Sequence, residues 1–115
     1  MTRPARTHHR IVIVGAGTAG LTVAARLRRA GEDDIAIIDP STTHWYQPLW
    51  TLVGGGLAPV GASSRPMADL MPRGTTWIRA AAESIDADGR VVHTTAGEVG
   101  YDRLVLAPGI QLDWD

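Results

Sequence analysis

The 115-residue chain contains no cysteine and no lysine; all eleven of its basic residues are arginine. The first absence excludes disulfides, Cys-ligated zinc or iron–sulfur centres, and any thiol chemistry carried by these residues. The second excludes a lysine Schiff base and a lysine-bearing phosphate loop. Long apolar runs are missing too. Arg, Gly and Pro interrupt every stretch before it approaches the ~20 residues of a spanning helix. There is no basic surplus either: a net charge of −1 argues against nucleic acid as a partner, because phosphate-tracking proteins carry excess cations. Acids are absent from the first 31 positions, which include Arg3, Arg6 and Arg10. That start has no uninterrupted apolar signal region and runs directly into a glycine motif that needs its own strand, so a removable presequence is rejected. Residues 1–9 are read as a flexible basic tail and residues 10–115 as domain.

What is present suits one domain with a modest core. Residues 11–14 are a continuous β-branched run, as expected of a strand buried on both faces of a parallel sheet. After Gly15 and Gly17 a helical pattern starts at Thr18, with Gly20, Val23, Ala24 and Leu27 on one face. Arg26, Arg28 and Arg29 close it, with Gly31 as a natural cap. Residues 35–38 form a second apolar strand ending at Asp39. The pattern predicts a right-handed βαβ unit. Residues 40–74 carry five prolines and the run Gly54, Gly55, Gly56, so only short elements are expected, with a helix at 64–70. From Thr75 the pattern returns to β. Residues 75–85 extend, Asp88-Gly89 signals a hairpin, and 90–94, 99–101 and 104–106 form further strands before Pro108-Gly109. The fold class predicted is α/β: a Rossmann-like half with one βαβ unit and a three-stranded antiparallel meander.

Gly15-Ala16-Gly17-Thr18-Ala19-Gly20 matches G-x-G-x-x-G. Gly15 permits a tight turn, Gly17 lets a pyrophosphate approach the backbone, and Gly20 lets the helix pack on the strand. The N–H groups opening the helix, at Thr18 and Ala19, face the anion. Asp39, nineteen residues after Gly20, is placed to accept hydrogen bonds from an adenosine ribose and would repel a 2′-phosphate, which disfavours NADP. Both NAD and FAD use this fingerprint. The stretch 101–109, an apolar strand ending in Ala107-Pro108-Gly109, resembles the FAD domains of two-dinucleotide flavoenzymes, where small residues let the turn lie beside the cofactor.

Following Asp39-Pro40, the string His44-Trp45-Tyr46-Gln47-Pro48-Leu49-Trp50-Thr51-Leu52-Val53-Gly54 resembles the sulfide:quinone oxidoreductase family, especially its mitochondrial-type branch. Thr76-Trp77-Ile78 and Gly109-Ile110-Gln111-Leu112-Asp113 extend the resemblance over residues 8–115. It implies FAD as cofactor, with Gly17 and Thr18 at the pyrophosphate and Asp39, followed by Pro40, at the ribose. Gln47 would reach the cofactor from the long loop, the Ala82 backbone would hold the adenine, and Ala107, Pro108 and Gly109 would border the flavin. Many relatives carry Thr in place of Pro108, but flavocytochrome c sulfide dehydrogenases also have Pro, so the subfamily stays open. In the family two cysteines perform the sulfur chemistry, and C-terminal segments meet membrane and quinone. Neither is present here. The chain is therefore read as the N-terminal part of such an enzyme, inactive by itself, with no catalytic residue of its own. The parent enzyme is expected at a membrane surface, and this chain alone in the cytoplasm.

Other residues carry less. Trp45, Tyr46 and Trp50 are expected to be packing anchors more than flavin stackers. His8 and His9 are read as solvated and, with His44 and His93, show no metal-ligand spacing. Asp86 and Asp88 belong to a turn. Two rival classes remain: a type II NADH:quinone dehydrogenase, and a non-catalytic dinucleotide-binding module.

Overall fold

The computed structural model describes residues 6–45 and 50–109. Strand β1 (Arg6–Val14) leads through the glycine turn into helix α1 (Thr18–Arg29), and β2 (Ile35–Ile38) follows. Short pieces come next: β3 (Thr43–Trp45), α2 (Trp50–Gly54), a 3-10 turn (Val60–Ser63), β4 (Ser64–Pro66) and α3 (Met67–Leu70). The chain then returns to strands β5 (Thr76–Ile78), β6 (Ala82–Asp86), β7 (Val91–Thr94) and β8 (Gly97–Leu106). Six of them form one sheet in the order β5-β2-β1-β8-β7-β6, and β3 pairs with β4 as a separate ribbon. β5, β2, β1 and β8 are parallel neighbours, while β8, β7 and β6 form the antiparallel meander.

The unbroken apolar strands have a direct physical cause. Side chains alternate between the faces of a strand. On one face Ile11, Ile13, Ile35 and Ile37 pack with Ala24, Leu21, Val23 and Leu27 of α1 and with Met67. On the other, Val12, Val14, Ala36 and Ile38 pack with Val92, Val99 and Tyr101 of the meander. Both faces are covered, so neither can be polar. Ile13, Ile35, Ile37 and Ile38 are at most 1% exposed, and full burial of such a side chain stabilises by about 1.5–3 kcal/mol relative to exposure.

The helix reaches this sheet because glycine lets backbone meet backbone. A Cβ on Gly20 would meet the Gly15 carbonyl, and one on Gly15 would meet the Ala107 carbonyl. Gly15 also has φ +106°, a conformation that side chains resist. The turn is tied on both sides. Gly15 N donates to Ile38 O at 2.9 Å and Ala107 N to Val14 O at 2.8 Å, so β2, β1 and β8 end together around it.

Several boundaries differ from the sequence reading. Residues 6–9, expected in a tail, lie in β1. They pair in register with residues 98–101 of β8, and His8 Nε2 is 3.0 Å from Asp102 Oδ1. His9 is not solvated: its side chain is 15% exposed, with Nδ1 2.9 Å from Asp34 Oδ1. The stretch 75–85 divides into β5 and β6, which occupy opposite edges of the sheet. The break is at 79–81, where Ala80 is buried and Ala81 exchanges hydrogen bonds with Thr95 in the β7–β8 turn. Residues 99–101 and 104–106, expected as separate strands, are one, because β1 offers β8 a continuous parallel partner. The helix expected at 64–70 keeps only Met67–Leu70, since Ser64–Pro66 pairs with β3 instead. At the Asp88-Gly89 turn the left-handed residue is Arg90, with φ 53°, while Gly89 N donates to Asp86 Oδ1. Trp45 and Trp50 are 44% and 47% exposed and do not act as core anchors.

Two predictions follow from this packing. Gly20→Ala should cost about 1–3 kcal/mol, the usual penalty for forcing extra volume into a filled space. Gly54→Ala, where a Cβ meets none of the described residues, should cost nothing measurable, both variants being compared with the parent by urea titration. The second concerns acid. The His9 hydrogen bond above all, with the Arg10 amide and the His9 charge behind it, holds the Asp34 carboxyl below the usual carboxylate range, against an opposing effect of burial that is second in size. A carboxylate depressed in the folded state stabilises the fold above its unfolded pKa, and that contribution is lost as pH falls through the folded value. Asp34→Asn should therefore flatten the acid limb of the stability curve, read by circular dichroism. The effect should be small, because the Asp34 side chain is half exposed and solvent screens the pair.

Candidate dinucleotide site

A cleft of ≈ 230 Å³ opens where the carboxyl ends of β1, β2 and β8 meet, the crevice in which parallel α/β sheets bind ligands. Ala16 and Gly17 from the glycine turn, Asp39 from the end of β2, and Ala107, Pro108 and Gly109 after β8 all line it. His44, Trp45 and Met67 from the intervening segment complete its wall.

The three fingerprint glycines divide their work. Gly15 and Gly20 are buried behind the cleft and are required by the close backbone contacts already described. Gly17 is exposed, has an ordinary φ of −73°, and a Cβ there would meet nothing within 4 Å. Among the described residues nothing demands a glycine at this position. Leu21 N makes the first helical bond, to Gly17 O at 3.0 Å, so the N–H groups of Thr18, Ala19 and Gly20 precede the ladder and lie in its first turn. Among the described residues no side chain caps that end. The basic residues of α1 are all in its last turn, leaving the positive end of the helix dipole as the attraction for an anion.

Asp39 is held as well as aimed. Its Oδ2 accepts from Ala16 N at 2.7 Å and its Oδ1 from Ser41 N at 2.8 Å, while its own carbonyl accepts from Trp77 Nε1 at 3.0 Å. An ionised carboxylate offers about four acceptor positions. Two backbone donors therefore fix its orientation and leave capacity for hydroxyl donors at the cleft.

Of the residues singled out in the sequence, Gly17, Asp39, Ala107, Pro108 and Gly109 converge here. Thr18 opens onto an adjoining groove of ≈ 410 Å³ along α1, and Ala19 is exposed in the first turn. Pro40 is exposed just after Asp39. Ala82 is elsewhere: it sits exposed at the start of β6, in register with Thr94, and does not line the cleft. Gln47, with Tyr46, Pro48 and Leu49, and the string from Ile110 onward lie outside the described residues. Sequence alone does not mark Ala16, Trp77 or His44 as site residues. Ala16 is only a variable position in the fingerprint, and the Asp39 contact of Trp77 spans 38 residues.

Residues 9–112 match the family described as pyridine nucleotide-disulphide oxidoreductase. A mitochondrial sulfide:quinone oxidoreductase of Dictyostelium discoideum is 42% identical over 109 residues, covering 92% of this chain and 24% of that protein. A type II NADH:quinone oxidoreductase of Mycobacterium tuberculosis is 33% identical over 110 residues, covering 90% and 23%. The solved sulfide:quinone oxidoreductase of Aquifex aeolicus superposes with a TM-score of 0.78 at 28% identity, over 94% of this chain and 25% of that one. The chain thus spans about a quarter of the length of these relatives. With its glycine turn, Asp39 and 107–109 turn gathered at the ends of parallel strands, the chain belongs to the pyridine nucleotide-disulphide oxidoreductase family, and its sequence and fold are similar to part of the sulfide:quinone oxidoreductases.

Proposed function

We propose that this chain is the FAD-binding portion of a flavoprotein that oxidises sulfide and passes the electrons to a quinone. The observation that carries the cofactor assignment is Gly17, a glycine with open space beyond it, at the mouth of a cleft shared with Asp39 and residues 107–109. A Cβ there would meet none of the described residues but would intrude on a ligand at the turn, and a diphosphate is the group that a helix N-terminus and an uncovered turn accept. In this reading Gly17 and Thr18 hold the diphosphate, Asp39 accepts from the ribose, and Ala107, Pro108 and Gly109 border the flavin. Gln47 is carried over from the family resemblance as a further contact, whereas Ala82, which does not line the cleft, is assigned none. The flavin supplies two-electron redox chemistry. The residues of this chain bind and orient it, and the small residues of the 107–109 turn leave room for its approach.

The sulfide assignment rests on the string beginning at His44, supported by the 42% identity to a sulfide:quinone oxidoreductase. Capture of sulfide needs a thiolate or disulfide beside the flavin to hold the sulfur product. These 115 residues contain no cysteine, so that step is assigned to residues outside them, as is contact with quinone and membrane. Among the described residues no helix is long and apolar enough to cross a membrane. The second reading, NADH oxidation on the same flavin scaffold, is favoured by the 33% identity over 90% of the chain.

Two measurements test this. Gly17→Val should leave the urea midpoint nearly unchanged while abolishing flavin retention, whereas Asp39→Ala should weaken FAD binding by about 1–3 kcal/mol and also loosen the turn, because it strips a partner from Ala16 N. Normal flavin content in Gly17→Val would remove the cofactor assignment. In the full-length parent, stopped-flow mixing should show flavin reduction by sulfide followed by reoxidation with quinone. Reduction by NADH and not by sulfide would establish the second reading.

A further inference from the structure

His44 was not among the residues expected at the site. It lies in β3, is 8% exposed, and its Nδ1 is 3.2 Å from the carbonyl oxygen of Ala16. A carbonyl can only accept, so the proton of this hydrogen bond is on Nδ1. Ala16 is fully buried, and its N–H donates to Asp39 Oδ2 at 2.7 Å. Both polar groups of this one residue are thus held by side chains from two different elements: Asp39 at the end of β2 takes the N–H, and His44 in β3 takes the carbonyl.

The consequence passes through the next peptide bond. No cis peptide occurs among the described residues, and in a trans peptide the C=O and N–H point in opposite directions. Holding the Ala16 carbonyl on a buried imidazole therefore directs the Gly17 N–H away from that imidazole. Gly17 is the exposed residue of the turn and the one with free space beyond it. A peptide at a glycine is otherwise easily rotated, because Gly restricts its own backbone least.

We propose that His44 is a positioning residue of the dinucleotide cradle: through the Ala16 carbonyl it fixes the Ala16–Gly17 peptide so that the Gly17 N–H is presented to the cofactor's diphosphate. This rests on the dinucleotide reading above and adds to it a residue outside the glycine fingerprint. Asp39 and His44 then hold the two peptides that flank Ala16: Asp39 takes the N–H of the Gly15–Ala16 peptide and His44 the carbonyl of the Ala16–Gly17 peptide. Part of what Asp39 contributes to binding is exerted through the turn and not through the ribose.

The test uses three substitutions that separate the two ring nitrogens. Asn places an amide N–H near the position of Nδ1, Gln near that of Nε2, and Leu at neither. In the ligand-free protein, the Gly17 amide nitrogen resonance, which reports hydrogen bonding at the preceding carbonyl, should move in His44→Leu and His44→Gln and return toward the parent value in His44→Asn. In FAD titrations the dissociation constant should rise about tenfold for Leu and Gln, the loss of one hydrogen bond, and stay within about threefold for Asn. Retention of affinity by Gln with loss by Asn would overturn the proposal, because the imidazole would then act through Nε2. An unmoved Gly17 resonance in His44→Leu, or parental affinity in all three variants, would overturn it as well. Should Leu fail to fold, the Asn–Gln comparison decides alone. If the parent protein does not bind FAD, the same titrations are run with ADP. The Asn–Gln order then supports or overturns the His44 proposal, while the flavin reading fails separately.

Discussion

The structure depends on backbone packed directly against backbone at Gly15. The helix rests on its carbonyl through Gly20, and the Ala107 carbonyl comes against it from the end of β8. No side chain intervenes in either contact. Separations this short bring three strand ends and one helix N-terminus into a single small volume, and the cleft is the space left over. A bulkier turn would push α1 off Ile13 and Ile37 and part β8 from β1, so the core and the site rest on the same atoms.

The cleft that results is built from peptide groups more than from charged side chains. Asp39 is its fixed anion, oriented by Ala16 N and Ser41 N and backed by the Trp77 indole. Arg28, the α1 cation whose contacts are resolved, is turned to the Arg73 and Glu32 carbonyls at the far end of the helix. An anionic ligand at Gly17 would therefore be held by N–H groups and the helix dipole. Such a site has little side-chain entropy to lose on binding, because its donors are already fixed by the helix and the turn.

The rest of the surface is less self-contained. Trp45, Trp50, Leu52, Leu57 and Val60 are exposed apolar residues within a segment, 41–64, that carries no Asp, Glu, Lys or Arg. The meander is the opposite case: its ends carry polar pairs, with Glu98 near Arg6 and His93, and Asp102 on His8. β1 extends outward to Arg6, through a run that reads as a tail, because residues 6–9 pair in register with 98–101 of β8; the exposed side-chain pairs add little to that. Taken alone, Arg6 to Arg10 have no periodicity of burial; each becomes ordered by a partner roughly 25 or 90 residues away.

The sequence by itself determined the local elements whose burial or backbone geometry is encoded within a few residues. The apolar runs at 11–14 and 35–38, the face of α1, the need for glycine at 15 and 20, and the acid at the tip of β2 were all legible, because periodicity and turn chemistry are short-range properties. Pairing partners were not. Nothing in residues 75–85 states that Thr76–Ile78 joins β2 while Ala82–Asp86 joins β7, and nothing in 97–106 states that an uninterrupted parallel neighbour makes one strand of two. His44 was legible only as part of a family string; that its ring meets Ala16, 28 residues earlier, follows from where the β3–β4 ribbon folds back on the glycine turn. Local sequence fixes which side chains seek burial and which bonds can turn. Only the closed tertiary structure decides which distant peptide each of them meets.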